Sequence, residues 1–463
     1  MTGTIGGVSA DEPAYAGRAG VAGWLLFDAA VQPWFTLVTT FVYAPYFATA
    51  IAATPAEGQS LWGLATGIAG FVIAIASPVL GAIADASGRR KPWIAVFTIM
   101  TILAALVLWY GQPGAPDMIV PVLIAFAIGT VGAEFATVFT NAMMPSLVPP
   151  HRIGRLSGSG WAIGYVGGLI SLVIVLGFIA GSPDSGLTLF GLEPLFGLDP
   201  ALREGDRFSG PFSALWLAIL IVPLMLFTPD GKQRVALGAA VRAGLADLKH
   251  TIGTLGEHRP VFLFLVARMA YTDGLVALFA FGGIYAAGIF GWQTIEIGIF
   301  GIWLTITGTI GALAGGRLDD RFGPKAVIGG ALWVLMAGAV GVLSVDASHV
   351  LFVVPVAPAG EGGLFSSPGE VFYLVFGGLI GLAAGPIQAA SRTLLIVLAP
   401  KTHITQFFGL FAFSGKVTSF LGPLVVAGVT AVTADQRIGI ASILAFLVVG
   451  AGLLTLVQAE GEA

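Results

Sequence analysis

Six ionisable side chains stand inside long apolar stretches of this chain: Asp28, Glu134, Arg268, Asp273, Arg392 and Lys416. Each costs roughly 2.5–3.5 kcal/mol at the centre of a membrane helix, so such groups are held by one another, by water or by a ligand. Carboxylates and cations gathered away from water can bind a charged solute or exchange a proton. Arg268 and Asp273 share the stretch FLVARMAYTDGLVALFAFGG, yet about 140° of helix separates them, which sends them to partners on different helices. Tyr271 falls about 60° from Arg268 and shares its face. Arg268 is expected to bind an anionic solute group, or to hold a carboxylate whose protonation drives transport. A fixed ion pair that locks the helices together is the plainer alternative.

Spacing groups the others. Asp28 and Gln32 are four residues apart, on one helical face, and Asp28 has either a coupling or a structural role. Glu134 and Asn141 are seven apart, two turns along one stripe. Gln388 and Arg392 share a face in GPIQAASRTL, just beyond Pro386, which frees a backbone carbonyl and bends the helix. A guanidinium beside an amide suits a carboxylate or phosphate, although Arg392 could instead snorkel to the inner surface. Lys416, between Ser414 and Ser419, is expected to be a counter-ion with its partner on the seventh or first membrane span. A carboxylate that is desolvated in one state and beside a cation in another can change its protonation between them. Glu134 and Asp273 are therefore the favoured proton carriers, with Asp28 as a third candidate. The expected solute ligands are Arg268, Tyr271, Gln388, Arg392, Lys416, Gln32 and Asn141. Trp161 and Tyr165, four apart among glycines, are expected to pack rather than line a cavity.

The elements that position these groups follow from composition. The 463 residues are 56% hydrophobic and 10% charged, with 66 glycines, whereas soluble domains carry about 25% charged residues. Apolar stretches of about 20 residues recur along the whole chain, which predicts twelve membrane spans. They fall near 22–50, 61–84, 93–110, 118–142, 157–181, 211–228, 261–289, 295–315, 326–345, 371–395, 406–432 and 437–458. All are helices, because a helix satisfies its backbone hydrogen bonds within itself and the segments are too long and too uniformly apolar for barrel strands. The fold class is all-α integral membrane protein.

Lys and Arg concentrate in alternate loops, with Arg89, Arg90, Lys91, Arg152, Arg155, Lys232, Arg234, Arg317, Arg321, Lys325 and Lys401 on one side. The other side holds only Arg203, Arg207 and Arg437, which places both termini in the cytoplasm. The opening MTGTIGGVSADEPAYAGRAG lacks a basic n-region and a short apolar core, so no signal peptide is expected. The loop 182–210 is expected to form a small lid. The polar connection 229–260 divides the spans six and six and is expected to carry an amphipathic helix on the membrane face, or a plain cytoplasmic one. That gives a first half of residues 1–228 and a second of residues 261–463.

The halves repeat. Gly81, Asp85 and Gly88 match Gly316, Asp320 and Gly323 at an offset of 235. Asn141, Pro149, Gly158 and Gly164 match Arg392, Pro400, Gly409 and Gly415 at 251. Duplicated six-helix halves are the layout of secondary transporters that bind solute near the midplane.

The Gly-x3-Asp-x2-Gly-basic loop resembles the signature loop of the major facilitator superfamily. WLLFDAA, ADASGRRKPW, ARMAYTDGL, QAASRTLL and FFGLFAFSGKVTSFLGP resemble the Atg22-like branch, also called the UMF1 family. The resemblance implies two pseudo-symmetric six-helix halves and transport of a small solute; the yeast namesake is implicated in amino-acid efflux from the vacuole. It also implies that Asp85 faces the start of span eleven and Asp320 faces span five. A carboxylate at a helix N-terminus gains about 0.3–1 kcal/mol, so these contacts, with Arg89, Arg90, Lys91 and Arg321, are expected to latch an inner gate. Positive-inside topology alone is the plainer reading of the basic residues.

The expected function is secondary active transport and not enzymatic, since His151, His250, His258, His349 and His403 show no triad or metal spacing. No cofactor or metal is expected, and cysteine is absent. No Gly-x4-Gly-Lys-Ser/Thr loop is present, so a gradient rather than ATP supplies the work. The expected partners are a small polar solute, amino-acid-like or anionic, a proton and the lipid bilayer, with no nucleic acid and a monomeric chain. A plasma or bacterial inner membrane is the expected location. A cation-coupled sugar symporter is the alternative within transporters, disfavoured because residues 61–84 carry no carboxylate pair; a non-transporting receptor or assembly protein is the alternative outside them.

Overall fold

The computed structural model describes residues 15–183, 185–253, 258–292, 294–357 and 364–458. The first fourteen residues, where a signal peptide was not expected, lie outside them, as do residues 254–257 of the connection between the halves. Among the described residues, twelve helical spans are long and apolar enough to cross a membrane. Spans one to six are Arg18–Ile51, Glu57–Ser87, Lys91–Tyr110, Pro116–Asn141, Pro150–Ile179 and Glu204–Phe227. Spans seven to twelve are Arg259–Phe290, Glu296–Phe322, Pro324–Leu343, Pro368–Leu398, Lys401–Thr433 and Gln436–Thr455. Several run beyond their apolar cores: span five starts at Pro150 and span eight ends at Phe322, because helical hydrogen bonding continues through polar turns at the membrane surface.

Local chemistry sets the ends. Thr54 accepts a hydrogen bond from the Glu57 amide to start the second helix, which stops at Gly88, whose φ of +82° closes the C-terminus. Ser367 and Glu370 form a capping box ahead of span ten, and that helix runs unbroken through Pro386 to Leu398. Span one changes pitch after Pro33, with wide π turns at Trp34–Phe41 and Phe47–Ile51. The Thr39 and Thr40 hydroxyls donate to carbonyls five residues back, Trp34 at 3.1 Å and Phe35 at 2.8 Å, which satisfies acceptors in the widened ladder.

Span eleven is interrupted. One helix covers Ile404–Lys416 and a second Leu421–Thr433, so the break falls directly after Lys416. Pro423 has no amide to donate to Ser419 and its ring clashes with that carbonyl, which disfavours a continuous helix here. The Ser419 hydroxyl instead donates to the Lys416 carbonyl at 3.0 Å. Broken spans are where secondary transporters place their sites.

The helix in the connection, Leu237–Gly253, packs on the end of span two. Ala240, Gly244 and Leu248 are buried at four-residue intervals, and a Cβ on Gly244 would sit 2.7 Å from the Ile83 amide. Loop 182–210 folds back onto its own half: the Leu189 amide donates to Leu176 at 3.0 Å and Phe190 packs edge-on against Phe178. A short hairpin, His349–Val350 with Val354–Pro355, joins spans nine and ten and had no counterpart in the sequence reading.

Candidate functional site

The halves meet through glycines at the end of the bundle that carries the basic loops. A Cβ on Gly81 of span two would lie 2.5 Å from the Thr405 carbonyl of span eleven, and Gly409 meets Ser77 from the other side. The same arrangement recurs where Gly158 of span five meets Ala312 and Gly316 of span eight. Gly81, Gly409, Gly158 and Gly316 are four of the eight glycines of the sequence repeat, and their approach brings backbone against backbone. The far part of span eleven, Leu421–Thr433, buries only Gly422 and Val426. Gly422 packs on Asp273 of its own half. The structure is thus closed at the basic end.

Two carboxylates sit on this closure. Asp85 accepts the Gln406 amide at 2.8 Å near the start of span eleven, and Asp320 accepts the Arg155 amide at 3.1 Å near the start of span five. Arg155 adds an ion pair to Asp320 at 3.3 Å. Of the basic residues grouped as gate elements, only Arg90 crosses between halves, donating to the Thr405 hydroxyl at 3.0 Å and lying 3.5 Å from Asp85. Lys91 donates to the Met225 carbonyl at 3.0 Å, and Arg89 lies 3.9 Å from Asp230, so both tie down the start of the connection within the first half. Arg321 lies over the ring of its neighbour Phe322, with 5.0 Å to the centroid, because it points away from the helix pair that Asp320 joins. Asp319 is the residue the sequence reading missed: it is buried against Gly154 of span five, with one carboxylate oxygen lacking a hydrogen bond.

A wedge at the glycine contact tests whether it holds the end shut. Gly81→Val is expected to impose an overpacking cost of about 1–3 kcal/mol on the closed state. The readout is maleimide labelling of a single cysteine at Ala312, a fully buried position at the other helix pair. Labelling should become faster; an unchanged rate would remove Gly81 from the closure.

Above the closure, Arg392 of span ten reaches into the first half. Its guanidinium donates to Asn141 Oδ1 at 2.9 Å, to Ser157 Oγ at 3.1 Å and to the Ser157 carbonyl at 2.7 Å, and lies 3.5 Å from Asp28. Its exposure is 4%, so it does not snorkel. The rings of Trp161 and Trp24 lie 5.4 and 5.9 Å from it, which gives Trp161 a polar neighbour beyond the packing expected of it. With most of its donors committed, Arg392 joins the halves instead of offering a free ligand group. Asn141 and Arg392, matched in the repeat, bond to one another across the halves.

Lys416 pairs with Glu134 of span four at 2.5 Å. That corrects the expectation of a partner on span seven or one. The break after Lys416 leaves its side chain at the C-terminal end of a half-helix, where a cation is favoured, and turned toward the first half. The two side chains are 32% and 20% exposed, so this ion pair is reachable where Arg392 is not.

Arg268 is buried on its own half. It donates to the Phe411 carbonyl at 2.8 Å and Ser414 Oγ at 3.0 Å and lies 3.5 Å over the Phe411 ring, which fixes the half-helix that presents Lys416. Its Nε has no hydrogen-bond partner, nor has Asp273 Oδ1. Tyr271 and Ser391 share a hydroxyl–hydroxyl bond of 2.6 Å, joining spans seven and ten. Gln32 lies against Gly168, and neither the Gln32 nor the Gln388 side chain makes a hydrogen bond among the described residues.

Twelve spans in two six-helix halves, with charges from both halves meeting between them, define a transporter of the major facilitator superfamily and not an enzyme. The chain belongs to the Atg22-like family: the family profile described as "Vacuole effluxer Atg22 like" matches residues 48–462. It is similar to the uncharacterized MFS-type transporter YxiO of Bacillus subtilis, with 22% identity over 444 residues that cover 94% of both chains. Autophagy-related protein 22 of Cryptococcus neoformans is 26% identical over 365 residues, 74% of this chain and 61% of that one, so the chain spans less than two thirds of that relative. Among solved structures, FucP in the outward conformation matches with a TM-score of 0.67 at 14% identity, covering 95% of this chain and all of that one. A bacterial homologue of the iron transporter ferroportin in an outward-facing state also matches at 0.67, with 12% identity, 95% of this chain and 98% of that one. At those identities the likeness is one of fold.

Proposed function

We propose that the chain moves a small anionic or amino-acid-like solute by alternating access, coupled to a proton, with Lys416 and Glu134 at the centre of the coupling. The observation that carries this reading is the partly exposed Lys416–Glu134 ion pair, which bridges the halves at the break in span eleven. The central charges balance: Asp28, Glu134 and Asp273 against Arg268, Arg392 and Lys416. A low-dielectric site resists any change in that sum. An anionic solute that takes Lys416 from Glu134 adds one negative charge, and a proton on Glu134 restores neutrality. Solute and proton therefore favour each other's binding. Arg268 Nε and Asp273 Oδ1 are buried without hydrogen-bond partners, and on this reading a change of state that opens the site would offer them as one donor and one acceptor to a solute that carries both an acid and an amine.

On this reading the basic end faces the cytoplasm together with both termini, and the described state opens outward. The chain acts as a monomer of two halves, residues 1–228 and 261–463, in a plasma or bacterial inner membrane. Asp85 and Asp320 serve as gate latches.

The test is uptake of labelled amino acids, carboxylates and sugars into proteoliposomes, with and without an imposed proton gradient. Accumulation of a carboxylate-bearing solute only with the gradient is the expected result. Uptake that ignores the gradient, or no flux of any solute, would overturn the reading. Arg268→Ala removes two charged hydrogen bonds worth about 1.5–3 kcal/mol each from the support of the half-helix, so transport should fall by about tenfold or more. Wild-type flux in that variant would exclude Arg268 from the site.

A further inference from the structure

Beside the closed gate, at the basic end, lies a cavity of about 250 Å³ that the transport cycle described above does not use. Asp85, Arg90, Lys232, Arg234, Lys401 and Thr402 line it. Its cations come from three parts of the chain: Arg90 follows span two, Lys232 and Arg234 belong to the connection between the halves, and Lys401 leads into span eleven. Four cations thus face one carboxylate, and Asp85 already holds the Gln406 amide and Arg90. Asp230, the other carboxylate nearby, is turned to the Arg90 and Lys91 amides, at 2.9 and 3.1 Å. Lys232 and Lys401 form no ion pair or hydrogen bond among the described residues, and both are exposed. Like charges held around a space this large repel one another unless an anion enters, and the space far exceeds the ~10–15 Å³ that one water requires.

We propose that this cavity binds a phosphate group and that the bound phosphate holds the basic end shut. A phosphate monoester carries about −1.5 to −2 charge and three strong acceptor oxygens, which suits the uncommitted cations better than a single carboxylate does. The guanidinium of Arg234 offers a fork to two of those oxygens, and the lysines supply point charges. Arg90 belongs to the first half and Lys401 to the second, so the complete set exists only while the halves meet at this end. A ligand that touches both must favour the closed state by the difference in its affinity for the two states. Two sources carry the same chemistry: the headgroup of an anionic lipid in the adjacent leaflet, or a soluble phosphorylated compound. Occupancy of the cavity does not depend on the proposed solute or coupling; only its consequence for the gate rests on the alternating-access reading.

The experiment uses the full chain in phosphatidylcholine nanodiscs. One arm titrates inorganic pyrophosphate by calorimetry; the other replaces part of the lipid with phosphatidylglycerol and reads its retention by native mass spectrometry. The variant is Lys232→Ala with Lys401→Ala, two exposed side chains without partners, so the fold should persist. The control is Arg18→Ala with Arg242→Ala, two exposed cations outside the cavity. The expected result is binding of at least one probe by the parent, weakened about tenfold or more in the cavity variant and little changed in the control. Pyrophosphate binding identifies a soluble source, and retention of phosphatidylglycerol alone identifies the lipid. Binding of neither probe, or equal loss in variant and control, would overturn the proposal.

Discussion

Arg392→Ala is expected to move the resting population from the state closed at the basic end to the state open there. Arg392 reaches from the second half into the first, with three donated hydrogen bonds and the Asp28 ion pair on one planar group. Truncation leaves Asp28 without its cation, while Asn141 and Ser157 lose their donor. Removing one partner of a buried pair costs about 3–5 kcal/mol. In the open state the same groups reach water, so the cost falls on the closed state and the equilibrium shifts by a factor of about a hundred or more. The absence of cysteine makes the measurement direct, because a single cysteine at Ala312 reports opening without background labelling. Parent protein should label slowly and the alanine variant quickly. Arg392→Lys should fall between them, since an ammonium keeps the charge but cannot serve Ser157 and Asn141 in one plane. Asp28→Asn should have a smaller effect than Arg392→Ala, because the three donated bonds remain. A labelling rate in Arg392→Ala equal to that of the parent would remove Arg392 from the closure and leave it to the glycine contacts and the Asp85, Asp320 and Arg90 bonds.

Which charged side chains stand inside the spans was legible, because charge in an apolar helix is costly whatever the fold; whom they meet was not. Lys416 shows why. A continuous helix through residues 406–432 gives its side chain one direction, but the break before Leu421 resets the geometry, and the partner proved to be Glu134 on span four. Pro423 was the available signal, though proline occurs in many spans that continue unbroken, Pro386 among them. The repeat carried more information than its matching residues first gave. Gly81, Gly316, Gly158 and Gly409 were visible as paired positions, and the structure places all four in the contacts between halves, where a side chain would separate the backbones. Asp319 was overlooked because Asp320 beside it fits the repeat, and no periodicity distinguishes the neighbour that turns inward. In the helix Leu237–Gly253 the stripe of Ala240, Gly244 and Leu248 suits lipid or a packing partner equally, and only the neighbour in space, span two, decides between them.

Glu134→Gln is expected to separate transport from the proton gradient. In the described state Glu134 and Lys416 neutralise one another across the halves, and any anionic solute that binds Lys416 must first displace that carboxylate. On the proposed reading, a proton takes the place of Lys416 on Glu134 as solute arrives, so uphill uptake is expected to follow the gradient. The glutamine has nearly the same shape and can still accept a hydrogen bond from Lys416, but it carries no charge and binds no proton in this range. Lys416 is then available to solute at all times. Exchange of labelled for unlabelled solute should therefore persist at a rate comparable to the parent, because it needs no net proton movement. Accumulation driven by the gradient should disappear, and the rate should lose its dependence on pH. Lys416→Ala should give the opposite split, with both exchange and accumulation lost, since the cation that receives the solute is gone. An intact pH profile and undiminished accumulation in Glu134→Gln would exclude Glu134 as the carrier and leave Asp273, with its unpartnered oxygen, as the group to substitute next.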